Sequence, residues 1–267
     1  MSTTFNLAES DAPRKLPDLY EASIAELQQG LSRKDFTSVD LVKAYRARIE
    51  EVNFKGPALR CVYELNPSAI HQAAKLDEKR AEAGSVLPSP LYGIPILLKD
   101  NIATISFEGM DTTAGSHALL GSVVPFDAGV VKKLRAGSAI ILGKASLTEW
   151  AHARDKDMPS GWSGIGGQTT NAYYPKADPS GSSAGSGVAT SIGLAAAALG
   201  TETHGSLIWP SGCNNLVGIK PTVGLTSRAG VIPITPSQDT VGPMARSLSD
   251  AAAKALGNSP RTSAVVR

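Results

Sequence analysis

The stretch that decides the fold and the site is residues 180–206, which read SGSSAGSG, then the apolar run VATSIGLAAAAL, then GTETHGS. Residues as small as those at 180–187 cannot build a hydrophobic core, so this loop either is flexible or brings backbone close to another group. The apolar run at 188–199 predicts a buried helix. Loops held at the ends of buried elements commonly carry function, so both flanking loops are candidates for a site.

Helices and apolar strands alternate around this stretch. Capping-box spacing and apolar periodicity predict helices at 23–30, 37–52, 67–84 and 127–136, and a short capped helix at 146–149. Apolar runs predict strands at 59–65, 94–99 and 139–142, the second of which runs into Lys99 and Asp100. This alternation is typical of an α/β sheet covered by helices on both faces.

Composition excludes several classes of protein. The 267 residues include 26 Lys and Arg against 24 Asp and Glu, a net charge of +2, so no basic excess indicates a nucleic-acid partner. Two cysteines are too few for a disulfide framework. Two cysteines and four histidines also argue against a metal-dependent hydrolase. The sequence shows neither a signal peptide nor a segment long enough to span a bilayer, which predicts a cytoplasmic protein without a membrane span.

Three short motifs imitate known sites. Residues 181–185 fit G-x-S-x-G, but no strand precedes them and His204 follows too soon for the usual order of the hydrolase triad. Residues 138–145 end like a phosphate-binding loop, yet the leading glycine is missing and Ala145 replaces the magnesium-binding hydroxyl. Residues 164–167 are a fragment of a dinucleotide fingerprint without its strand. None of the three predicts a site.

One lysine and the two serine-rich loops remain. Ser206 follows three small or polar residues whose backbone N–H groups could converge on an oxyanion. Lys99 could act as the base, since burial at the end of an apolar strand disfavours its ammonium form. The residues alone leave a second interpretation open, in which Lys99 is a paired charge and the loops are ordinary turns.

Eight motifs together resemble the amidase signature family, within it the fungal acetamidase-like branch. In chain order they are GIPILLKD at 93–100, DTTAGS at 111–116, LGKASLTE at 142–149, GGQTTN at 166–171, GSSAGSG at 181–187, GTETHGS at 200–206, GIKPT at 218–222 and DTVGPMAR at 239–246. The resemblance implies the α/β amidase-signature fold, with a mixed, mostly parallel sheet.

The resemblance also implies a catalytic Ser–cisSer–Lys triad. Lys99 is then the base, Ser182 the bridging serine after a cis peptide bond from Gly181, and Ser206 the nucleophile, while Ser183 supports the loop. Oxyanion donors would be the backbone N–H groups of Thr203, His204, Gly205 and Ser206. The implied reaction is hydrolysis of a small-molecule carboxylic amide through an acyl-enzyme. No cofactor and no metal are implied.

Substrate selection is expected near Trp162 and Gln168. His204 stands where the family has Gly or Asp, and we expect its side chain to face solvent rather than tune the oxyanion hole.

The resemblance divides the chain into an N-terminal arm at 1–20, an amidase signature domain at 21–257 and a polar tail at 258–267. Family members are longer, and the part absent here would complete the sheet and line the acyl pocket. Alternatives to an active amidase are therefore a catalytically impaired fragment that acts as an interaction module, or the amidase component of a tRNA-dependent amidotransferase. An exposed sheet edge would also favour a homo-oligomer.

Overall fold

The computed structural model describes residues 15–83, 89–155, 157–174 and 176–255. The first fourteen residues of the predicted arm and the predicted tail at 258–267 lie outside the described residues. What is described forms a central sheet with helices packed against it.

Seven α-helices are present in the described residues. They are α1 (Ile24–Arg33), α2 (Ser38–Ile49), α3 (Ala69–Ala83), α4 (Gly129–Ala136), α5 (Ala184–Ser191), α6 (Ile208–Cys213) and α7 (Leu248–Ala255). The capping box predicted at the start of α1 is confirmed, since Ser23 caps this helix with Glu26. The helix start predicted at 37 is also confirmed, and there Thr37 forms a second capping box with Asp40. A membrane-crossing helix would need to be longer and more apolar than any found in the described residues.

Eight strands lie in the same residues. They are β1 (Val62–Leu65), β2 (Pro95–Lys99), β3 (Ile140–Ala145), β4 (Trp162–Ser163), β5 (Gly167–Gln168), β6 (Ala197–Glu202), β7 (Val217–Gly218) and β8 (Thr240–Ala245). Six form one mixed sheet in the order β1-β3-β2-β6-β8-β7, and β4 pairs with β5 in a separate hairpin. The central strands β3, β2 and β6 are parallel, whereas β1, β8 and β7 pair antiparallel. Parallel pairing is thus confined to the centre of the described sheet.

Burial shows that both faces of the central sheet are covered. Every residue of β2, β3, β6 and β8 is buried, which a sheet with one solvated face cannot achieve. Helices α2, α3, α4, α5 and α7 pack against these strands. The α/β architecture predicted from the sequence is confirmed.

The prediction of one buried helix over 188–199 is wrong in its second half. Helix α5 begins at Ala184 and ends at Ser191, residues 192–196 form a turn, and strand β6 begins at Ala197. Gly193 separates the two with φ of +66°, and a side chain there would overlap the carbonyl oxygen of Leu19. A short apolar run has no periodicity that distinguishes helix from strand, so the error has a plain physical origin.

The short capped helix predicted at 146–149 is also absent. A 3₁₀ turn at Glu149–His152 stands there instead, with φ of 51° at Trp150 and 54° at Ala151. The expected capping pair is engaged elsewhere, since Ser146 Oγ is hydrogen-bonded to Thr169 Oγ1 and Glu149 Oε2 accepts the Gly164 N–H at 3.0 Å. These tertiary hydrogen bonds therefore replace the predicted local helix cap.

Candidate active site

The candidate site lies where two parallel strands end. Lys99 is the last residue of β2. In the neighbouring parallel strand β6, Leu199 pairs with Leu98, and the strand ends three residues later, at Glu202. Side chains and loops at the carboxyl ends of adjacent parallel strands meet at one edge of the sheet. Lys99 is thereby brought against the loop that follows β6.

Lys99 is fully buried among hydrogen-bond acceptors. Its Nζ lies 2.8 Å from Ser182 Oγ, 3.0 Å from Ser183 Oγ and 3.2 Å from the carbonyl oxygen of Thr201. Burial lowers the pKa of Lys99 from 10.5 to about 7, although the carboxylates of Glu202 and Asp239 oppose this. A substantial neutral fraction near pH 7 makes the amine able to accept a proton.

Ser182 and Ser183 reach Lys99 from the turn that begins α5. The Gly181–Ser182 peptide bond is cis, and the Ser182 carbonyl accepts the Thr148 N–H at 3.1 Å. Ser183 Oγ also donates to the Thr201 carbonyl at 3.1 Å, which ties the turn to β6. A side chain at Gly181 would press on Thr148 Oγ1, so glycine permits this close approach.

Ser206 joins Ser182 on the wall of one cavity of about 270 Å³. Its carbonyl accepts the Ser183 N–H at 3.1 Å, and the residue is 8% exposed, from within the cavity. In the described part of the chain, no hydrogen bond joins the two hydroxyls of Ser182 and Ser206. The structure therefore shows a hydrogen bond between Lys99 and Ser182, and Ser206 lines the same cavity as Ser182.

The loop before Ser206 is held by the buried carboxylate of Glu202. Glu202 Oε1 accepts the Gly205 N–H at 2.7 Å, and Oε2 accepts the N–H groups of Leu207 and Ile208, each at 2.9 Å. The expectation that Gly205 supplies an oxyanion donor is therefore corrected, because its single N–H already donates to Glu202. The backbone N–H groups of Thr203, His204 and Ser206 remain as candidates for the oxyanion hole.

The His204 side chain is exposed and packs edge-on against Trp209. Their ring centroids lie 5.4 Å apart at an interplanar angle of 84°. This is the solvent-facing placement expected for His204, in which only its backbone takes part in the loop.

Trp162 and Gln168 are not among the residues that line this cavity, so their place near a substrate stays a prediction. Both lie in the β4–β5 hairpin, where they face each other across the strands. Gln168 Nε2 donates to the carbonyl oxygens of Ser160 at 2.7 Å and Thr169 at 2.8 Å, so its amide shapes this hairpin.

The opposite cavity wall comes from residues 228–241, which the sequence pattern does not mark as a site. Arg228, Ile232, Ile234 and Asp239 contribute to it, and the Arg228 guanidinium donates to the carbonyl oxygen of Pro236. Only the DTVGPMAR motif at 239–246 points toward this region. Nothing in the local pattern of residues 228–236 indicates that they lie across the cavity from the loop that carries Ser206.

Comparison with known proteins adds independent information. The family model described as Amidase matches residues 40–256. A probable amidase of Arabidopsis thaliana is 49% identical over 87% of this chain and 44% of its own length. A putative amidase of Schizosaccharomyces pombe is 47% identical over 87% of this chain and 39% of its own length.

A solved structure shows the same fold. The native peptide amidase of Stenotrophomonas maltophilia superposes with a TM-score of 0.86 at 49% identity, over 91% of this chain and 49% of that one. The present chain thus spans about half the length of the relatives it matches. The family match, the sequence identities and the shared fold agree, and the chain belongs to the amidase signature family.

Proposed function

We propose that this chain carries the catalytic core of an amidase that hydrolyses a carboxylic amide through an acyl-enzyme. The observation that supports this most strongly is the hydrogen bond of 2.8 Å between the buried Lys99 Nζ and Ser182 Oγ, on the wall of the cavity that Ser206 also lines. A lysine whose pKa is about 7 is matched to general-base work at neutral pH.

In the proposed acylation step, neutral Lys99 accepts the proton of Ser182, which accepts the proton of Ser206. The Ser206 oxygen forms a bond to the amide carbon, and the carbonyl electron pair moves onto its oxygen. Backbone N–H groups of Thr203, His204 and Ser206 are the candidates in this loop to stabilise that oxyanion. The relay then returns a proton to the nitrogen as the C–N bond breaks, releasing ammonia or an amine.

Deacylation repeats the relay with water. Water loses a proton through Ser182 to Lys99 and attacks the ester carbon, and the Ser206 oxygen takes the proton back as the acid leaves. Atoms and charges balance without a metal or a redox partner.

The substrate class is proposed from the solved relatives. One relative is named a peptide amidase, so peptide amides and small-molecule amides are the first compounds to assay. The cavity wall formed by Ile232, Pro233 and Ile234 is apolar, which favours an uncharged acyl group beside the reacting carbon.

Fluorophosphonate labelling tests the proposal before any substrate is known, because the probe reacts selectively with an activated serine. We expect the purified chain to be labelled once, at Ser206, and Ser206→Ala to abolish labelling. Ser249→Ala, at an exposed serine of α7, is the matched control and should label like the parent. Labelling that survives in Ser206→Ala would exclude Ser206 as the nucleophile.

A further inference from the structure

Asp239 is a charged group of the cavity wall that the relay does not use. It directly precedes β8, whose six residues lie antiparallel to β6. Asp239 lines the same cavity as Ser182 and Ser206, and it comes from a part of the chain remote in sequence from both.

Both oxygens of the Asp239 carboxylate are engaged, and by two different segments. Oδ1 accepts the hydroxyl of Thr203 at 2.5 Å, from the loop that carries Ser206. Oδ2 accepts the backbone N–H groups of Ile234 at 2.8 Å and Thr235 at 3.0 Å, from the opposite wall. A carboxylate that accepts three hydrogen bonds from two segments holds those segments at a defined separation.

Thr203 links the Asp239 carboxylate to the loop that carries Ser206. Its backbone N–H is a candidate oxyanion donor, and it lies next to Glu202, whose carboxylate holds the other end of the loop through Gly205, Leu207 and Ile208. The nucleophile loop is therefore fixed by one carboxylate at each end. Glu202 holds the side that leads into α6, and Asp239 holds the side chain of Thr203.

We propose that Asp239 is a positioning residue that clamps Thr203 to the 234–235 wall and places a negative charge toward Lys99. The inference rests on the proposed amidase function, because it assigns a role within that site. Asp239 itself exchanges no proton and touches no reacting atom in this scheme.

The charge makes the role measurable. The charged groups that act on Lys99 are Glu202, from β6, and Asp239, from the residue before β8, and both favour its ammonium form. Removing the Asp239 charge therefore lowers the pKa of Lys99 further below 10.5. For any reaction that needs neutral Lys99, the acid limb of the pH–rate profile should then move to lower pH.

The test is the rate of fluorophosphonate labelling of the full chain as a function of pH. For Asp239→Asn we expect an acid limb about one pH unit lower than in the parent. We also expect a plateau rate about tenfold lower, since the neutral carboxamide makes weaker hydrogen bonds than the carboxylate and would have to donate to the Thr203 oxygen instead of accepting its hydroxyl proton.

Asp127→Asn is the matched control. Asp127 also accepts a backbone N–H, from Ile105 at 3.0 Å, but it does not line the cavity and does not act on Lys99. Its acid limb should coincide with that of the parent. A limb that does not move in Asp239→Asn, while its rate falls, would reduce Asp239 to a structural residue and overturn the proposal.

Thr203→Val keeps the test decisive if Asp239→Asn does not fold. It removes the hydroxyl donor and leaves the charge, so we expect a lower plateau rate with an unmoved acid limb. A parental rate in Thr203→Val would overturn the clamp. If the parent chain itself is not labelled, the proposed function has failed, which is a different result from either outcome for the variants.

Discussion

Two lysines in the described residues are completely buried, and their surroundings give them different roles. Lys99 Nζ contacts two hydroxyls beside a cavity, whereas Lys144 Nζ donates to the carbonyl oxygen of Ile102 at 2.8 Å and to Thr112 Oγ1 at 2.9 Å. Burial lowers the pKa of Lys144 to about 8, against the charge of Asp100. Burial and a lowered pKa are thus common to both, and only Lys99 has a hydroxyl partner that reaches the cavity.

The two serines that are hydrogen-bonded to Lys99 should respond differently to substitution. Ser182 lines the cavity and would carry the relay, so Ser182→Ala should lower the labelling rate about 100-fold or more. Ser183 also bonds the backbone of Thr201, so Ser183→Ala should cost about 1–3 kcal/mol of unfolding free energy, with a smaller loss of rate. Labelling rates and urea denaturation distinguish them. A parental labelling rate in Ser182→Ala would contradict the bridging role.

At the scale of elements, the sequence predicts most helices and strands but misassigns the segments around the site. Capping boxes and apolar periodicity locate α1 and α2 because those signals are local. The 188–199 run and the 146–149 turn are misassigned because Gly193 and Ser146 are constrained by residues distant in sequence. Tertiary contacts override local preference at the segments that build the site.

The first turn of helix α5 requires a glycine at position 185. A side chain on Gly185 would overlap the carbonyl oxygen of Cys61 and the amide nitrogen of Ser146. Backbone atoms cannot move aside as the end of a flexible side chain can, so Gly185→Ala should displace the start of α5. Both Ser182 and Ser183 would move with it.

We therefore expect Gly185→Ala to lose most of the labelling and to lower the melting temperature. Gly212→Ala is the matched control, because no atom lies within 4 Å of a Cβ there and alanine favours helix at that position of α6. Differential scanning fluorimetry and labelling report the two effects. Equal behaviour of the two variants would show that the close approach at Gly185 does not position the serines.

At the scale of the whole molecule, the candidate site is assembled from segments far apart in the chain. The motif resemblance points to Lys99, Ser182 and Ser206, and the structure brings the first two into contact and all three to one region. The resemblance does not indicate the 228–236 wall, and its placement of Trp162 near substrate stays a prediction, because Trp162 is not among the residues that line the cavity. Proximity between distant segments leaves no periodic or compositional signal in a single sequence.

The buried lysines also predict how global stability depends on pH. The pKa values of Lys99 and Lys144 are lowered to about 7 and about 8, so above those values the unfolded chain binds more protons than the folded one. Unfolding free energy should consequently rise from pH 7 to pH 9 (roughly, the window up to an unperturbed lysine). Burial raises the pKa of Tyr45 and Cys61 to about 12, which reverses the trend once the unfolded forms of these groups ionise.

Urea denaturation midpoints at several pH values measure this dependence. Lys144→Met should flatten the rise above pH 8, since it removes one of the two groups and fills the same volume with apolar atoms. A urea midpoint of the parent chain that decreases as the pH rises from about 7 to about 9 would contradict the burial of uncharged lysines.

We propose that neutral Lys99 activates Ser206 through Ser182, and the labelling rate of the unmodified chain as a function of pH tests this step directly. Because the pKa of Lys99 is about 7, we predict a rate that falls as the pH drops below about 7, as Lys99 becomes protonated, and that reaches a plateau above. A labelling rate that stays flat from pH 5 to pH 9 (roughly, the window around that pKa) would contradict Lys99 as the base.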